Sequence, residues 1–263
     1  MARHFISLLI GLICLVARAD VPSLSELPPN QEAVVLKTAE TTGLIIYRHD
    51  HAAEVATDAA LRIRAFKKDK RVRGWITEER DGLITVTFIN QTPAALYRVT
   101  VSNAGDILGD VAVLESPSTL TEFEAGAATA RTTALALQFQ PCSAKYNSVV
   151  LPGSTPKKWV VYLLPATTKN NVVPIGGTYR VETDGNTVVA RRGFTYTCIA
   201  LQNDPRAVSL MITHLLDATP TEAHVFWSLW AHKPIYVVTP PYGTTWSIEN
   251  GKIKLVERGV AKG

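Results

Sequence analysis

Five side chains between residues 214 and 232 are of types that carry chemistry: His214, Asp217, Glu222, His224 and His232. Alternating apolar residues at 208–215 and 223–230 predict two strands joined through 217–221. Symmetric pairing of that hairpin sets His214 opposite His224, with Cβ atoms about 5 Å apart. Two imidazoles at that distance can share a divalent metal such as zinc. Glu222 shares a face with His224 and is placed to act as a carboxylate ligand or general base. The spacing is not that of a zincin helix, and no nucleophile elbow or phosphate-cradling loop accompanies it. The competing expectation is that these histidines are half-buried, hydrogen-bonded structural residues.

Two further groups have the right chemistry for recognition. Arg62, Arg64, Lys67, Lys68, Lys70, Arg71 and Arg73 form a basic run interrupted by Asp69. Arg62, Lys67, Lys68 and Arg71 are the expected contacts for an anionic partner, against the alternative of a solvated helix end. Nearby Glu78, Glu79 and Asp81 are expected to cancel part of its field. Tyr242, in a Pro-Pro-Tyr-Gly loop, is a candidate exposed contact. His49-Asp50-His51 would offer a histidine pair if extended, but Asp50 is better placed as the cap of a following helix.

The elements that must position these groups are read from periodicity. Residues 20–43 are expected as an extended leader, its first part rich in proline, and 44–47 (LIIY) as a short strand. Residues 52–68 have helical spacing at Val55, Ala59, Ile63 and Phe66. A second helix is expected near Ser116-Pro117, with Phe123, Ala127, Ala130, Ala134 and Leu137 as its apolar stripe. Strands fill most of the rest, with Asp81-Gly82 and Asn250-Gly251 as hairpin turns. The last third shows no clear helix. Tyr97-Arg98-Val99, then Gly105 and Ile107, is echoed by Tyr179-Arg180-Val181, Gly185 and Val188, and more weakly by Trp246-Ser247-Ile248, Gly251 and Ile253. The sum is an α+β protein dominated by antiparallel sheet, with two packed helices and two related helix-plus-sheet units, 44–116 and 117–263.

Residues 1–19 have the grammar of a cleaved secretory signal: a short positive start, an apolar run over 5–16, and Ala17-Arg18-Ala19 before the cleavage point. The run is too short to span a bilayer, and no later stretch is long and apolar enough. Export to a periplasmic or secreted location follows as the expectation. Cys142 and Cys198 would then remain, and two cysteines in an exported chain most simply form one disulfide. Loss of Arg3 and Arg18 with residues 1–19 lowers the formal net charge from +4 to about +2, nearly neutral, which gives no argument for a nucleic-acid partner. The leading functional expectation is a non-enzymatic binding or adaptor protein of the cell envelope, without cofactor, whose partner is an envelope protein or glycan. The alternative is a metal-dependent hydrolase using His214, Glu222 and His224.

Overall fold

The computed structural model describes residues 25–260 apart from 168 and 170. The expected signal segment therefore lies outside the described residues. Among the described residues the fold is α+β: four helices and sheets that are almost wholly antiparallel.

Helix α1 (Pro29–Ala60) is the spine. Pro29 opens it, where a missing N–H costs nothing. This overturns three expectations. The chain is helical rather than extended from Pro29, residues 44–47 lie inside the helix rather than in a strand, and Asp50 sits in mid-helix rather than at a cap. The local patterns misled because the helix changes neighbours along its length. Its first half packs on helix α4 (Glu222–Ala231) and its second half on the first sheet, so no single apolar stripe runs through it.

After the short α2 (Arg64–Lys68), β1 (Gly74–Arg80), β2 (Leu83–Ile89), β3 (Ala95–Ser102) and β4 (Ile107–Ser118) form an antiparallel meander in the order β1-β2-β3-β4. Asp81 and Gly82 both take positive φ in the first hairpin, as a two-residue primed turn requires. Ala52, Ala53, Ala56 and Ala60 press α1 onto Ile84, Val86, Val99 and Val101.

Helix α3 (Glu122–Leu135) begins later than expected, because Ser116-Pro117 lies within β4. The true start signal is Thr121 with Glu124. The Thr121 side chain accepts from the Glu124 N–H, and Glu124 accepts from the Thr121 N–H. Glu124 also takes Thr87 and both ends of the Arg98 fork, tying the helix to the first sheet.

The second sheet joins β5 (Tyr146–Pro152), β6 (Lys158–Pro165), β8 (Tyr179–Asp184) and β9 (Thr187–Gly193), in that order; β7 (Val172–Val173) pairs with β10 (Leu201–Gln202) outside it. Strand β6 is nearly all apolar because both its faces are covered. Val161 and Leu163 meet α3, while Tyr162 and Leu164 meet the core around α4. Cys142 and Cys198 are joined in a disulfide that closes a separation of 56 residues around this sheet.

The third sheet runs β11-β12-β13-β14, from β11 (Leu210–Thr213), β12 (Ile235–Thr239), β13 (Thr244–Glu249) and β14 (Lys252–Glu257). Helix α4 (Glu222–Ala231) crosses between the parallel pair β11 and β12. Residues 223–230, expected as a strand, are therefore helical. The segment is apolar on all sides because it is buried between sheets, and that hides the helical period.

The three sequence echoes fall in equivalent places. Each begins in the third strand of a four-stranded sheet, turns at a glycine with positive φ and enters the fourth strand.

Gly43 lets α1 approach α4. A Cβ there would sit 2.5 Å from Val225 Cβ and 2.8 Å from the Glu222 carbonyl oxygen. Gly43→Ala gains about 1 kcal/mol of helix propensity but overpacks this contact by about 1–3 kcal/mol. The expected result is a net loss of stability in urea unfolding; an increase would show that the helices separate freely.

Candidate functional site

The structure brings His214 and His224 together by a route the hairpin expectation did not contain. His214 follows β11, and His224 lies in the first turn of α4. Their rings meet edge to face with centroids 4.6 Å apart, and both are almost fully buried.

Each ring is already engaged. The Asp217 carboxylate can only accept, so His214 Nε2 carries the proton and donates to Asp217 Oδ2 at 2.8 Å. Arg192 forks onto the same carboxylate at 2.6 and 3.3 Å and lies over the Phe194 ring at 4.7 Å. Burial pushes the Asp217 carboxyl up, but the bonds from His214 and Arg192 outweigh it and hold it down to about 2. His224 Nδ1 accepts the Thr221 N–H at 3.1 Å. That is the return half of a capping box, with imidazole where glutamate usually stands. Burial, with His214 beside it, holds the His224 ring well below the ordinary histidine range. It is a neutral structural group.

Glu222 does not join the pair. Two residues apart on a helix point to nearly opposite sides. Glu222 accepts from the Tyr162 hydroxyl at 3.1 Å and lies 3.8 Å from Arg180, whose other nitrogen holds Glu182 at 2.7 Å. Burial, then the Glu222 charge, pushes the Tyr162 hydroxyl up, so it stays a donor. Tyr162, Arg180, Arg192, Asp217 and Glu222 line a cavity of about 390 Å³ between the first half of α1 and the second sheet. Among the described residues, no group of three or more His, Cys, Asp and Glu is placed to hold a metal ion. The set His214, Glu222 and His224 is not gathered for zinc, because its carboxylate faces elsewhere. The cavity holds paired charges rather than a free base or nucleophile. His232 ends α4 in a left-handed conformation.

His49, Asp50 and His51 diverge around α1. His49 is buried against Thr77 at 2.7 Å and near Glu79 at 3.6 Å, and burial takes it down to about 4. His51 stacks on Tyr47 and meets Glu54 at 3.4 Å.

The basic run is exposed as expected. Phe66 is its anchor, buried edge-on against Phe88 and Tyr97 at 4.9 Å from each. Arg62, Arg64, Lys67, Lys68, Lys70, Arg71 and Arg73 surround it, all exposed. Asp69 is taken by a bidentate bond from Arg71 and by the Tyr97 hydroxyl. Glu78 pairs with Arg80, and Glu79 with Arg48. Two of the three nearby carboxylates are thus committed to other cations. Tyr242 is 46% exposed, in the β12–β13 turn of the third sheet.

Sequence reasoning did not find Arg180, Arg192 and Tyr162, whose roles come from strand pairing alone. It also missed Glu54 and Asp58. Their spacing from Asp50 makes one helix face, a signal hidden by reading Asp50 as a cap.

No protein-family model and no curated protein matches the chain. Among solved structures, it is similar to the Bacillus megaterium YpeB C-terminal domain at 13% identity and a TM-score of 0.19, over 52% of this chain and 64% of that one. A likeness at that TM-score carries no argument about fold or function.

Proposed function

We propose that the chain is an exported, non-catalytic binding protein that holds an anionic glycan of the cell envelope against the Arg62–Arg73 surface. The observation that carries this reading is the unbalanced charge there. Seven exposed cations surround one anchored turn; Arg71 is paired with Asp69, and among the described residues the other six have no carboxylate partner. A single-sign patch of this kind attracts polyanions, with a strength that falls steeply with salt. Export is supported by the disulfide, which persists in oxidising compartments, and by the signal-like residues 1–19. Among the described residues no helix is long and apolar enough to cross a membrane. A binding role suits the histidine cluster too, since its groups serve a cap and an ion pair.

Retention on a dextran sulfate column is the test. The wild-type protein is expected to elute at higher salt than a variant carrying Arg62→Gln, Lys67→Gln, Lys68→Gln and Arg71→Gln. Equal elution of the two would remove the surface from the account. Tyr242→Ala, run beside them, reads whether the contact extends to the third sheet.

A further inference from the structure

A second cavity, of about 270 Å³, has the opposite character. It lies where the second half of α1 meets β1, the start of β5, the end of β6 and α4. Asp50, Glu54 and Asp58 line it from one face of α1, at successive four-residue steps. Like charges at that spacing repel one another; among the described residues no Lys, Arg or His lines the cavity, and His51 meets Glu54 at 3.4 Å from outside it. Asp50 lies deepest, 7% exposed. Its Oδ1 accepts from Asn147 Nδ2 at 3.1 Å, and among the described residues no cation pairs with it. Glu54 and Asp58 are exposed at the mouth. The wall is aromatic: Trp75 and Trp230 are half-buried beside the carboxylates, and Trp230 is held edge-on against Trp227 at 5.3 Å.

A buried carboxylate without a counter-charge, facing tryptophan surfaces, calls for an organic cation. Indole faces attract ammonium groups and shield methylene chains. A hard divalent ion needs its oxygen ligands gathered around one point, and among the described residues no three carboxylates are placed to hold a metal ion. The spacing narrows the class further. Four helical residues rise about 6 Å, and an extended three- or four-carbon chain separates two ammonium groups by about 5–6 Å. A single lysine side chain brings one charge, whereas three aligned carboxylates match several charges on one chain.

We propose that this cavity binds a linear aliphatic polyamine, one outer ammonium on Asp50, the inner one on Glu54 and the other outer one on Asp58, and its methylenes against Trp75 and Trp230. The site is separate from the Arg62–Arg73 surface, and failure of either proposal leaves the other standing.

The test is calorimetry and tryptophan fluorescence on the full chain with spermidine, putrescine and magnesium chloride at matched ionic strength. Spermidine is expected to bind saturably, one per chain, more tightly than putrescine, with a change in tryptophan emission. Asp50→Asn should weaken it about tenfold or more, the effect of losing a desolvated charge contact. The double variant Glu54→Gln/Asp58→Asn, changed only at exposed positions, should weaken it about threefold and serves if Asp50→Asn does not fold. Trp230→Leu should weaken binding and reduce the emission change. Absence of saturable spermidine binding, unchanged affinity in the folded carboxylate variants, or equal displacement by magnesium at matched charge would overturn the proposal.

Discussion

Replacing Cys142 and Cys198 together by serine lowers the unfolding free energy by about 4 kcal/mol. The 56-residue separation they span encloses β5 to β9, and hence the whole second sheet. The link ties the segment before β5 to the segment after β9, so the open chain must lose more freedom to assemble the sheet. Local contacts do not replace it. The Tyr146 hydroxyl accepts the Cys142 N–H at 2.9 Å, and the Tyr179 hydroxyl donates to the Gln140 carbonyl at 2.6 Å, yet neither bond reaches Cys198. Urea unfolding of the oxidised wild type and the double variant measures the difference. A loss under about 1 kcal/mol would mean that the unfolded chain is already restrained in this region.

The second large effect has the opposite sign: Asp50→Asn stabilises the protein at neutral pH. Burial is the main reason that the Asp50 carboxyl is raised from 3.8 to about 6; Glu54 adds to the rise, while Asn147 and His51 oppose it. A folded value above the unfolded one means that the stability this group contributes is complete below 3.8 and is lost as pH rises through 6. At pH 7.5 the buried charge therefore costs the fold about 3 kcal/mol, which the neutral, isosteric amide avoids. The gain should shrink as pH falls and vanish near pH 4. Taking the difference between variant and wild type at each pH removes the part due to His49 and His224. Those rings are depressed, so their contribution is complete above the unfolded histidine value and is lost as pH falls. Thermal melts at pH 7.5, 6 and 4 follow the trend. An asparagine variant less stable than wild type at pH 7.5 would show that the carboxylate is satisfied in the free protein. Stability given up at one buried carboxylate is the kind of cost a functional site can carry.

The strands were legible in the sequence because their turns are local. Asp81-Gly82 and Asn250-Gly251 mark hairpins by themselves, and β2, β3 and β12 to β14 follow from alternation on either side. The disulfide followed from counting cysteines. What was hidden depends on tertiary neighbours. Helix α4 is buried on every side, so it lacks a polar face, and its cap uses His224 in place of glutamate. The first half of α1 faces α4, which lies far along the chain. The site suffered for the same reason. His214 and His224 meet as expected, but a helix in place of a strand turns Glu222 away from them and toward Tyr162 and Arg180. The cation-lined surface at 62–73 survived because exposure needs no partner, while the acidic stripe on α1 could not be seen until Asp50 stood inside a helix.

Under the proposed function the protein binds rather than catalyses with a metal, and the buried histidine pair holds the fold. Elemental analysis of the full chain after exhaustive dialysis, beside His214→Ala, tests it most directly. The expected result is metal well below one equivalent in both proteins, with His214→Ala less stable because Asp217 and Arg192 lose their third partner. Near-stoichiometric zinc in the wild type, lost in His214→Ala, would contradict it.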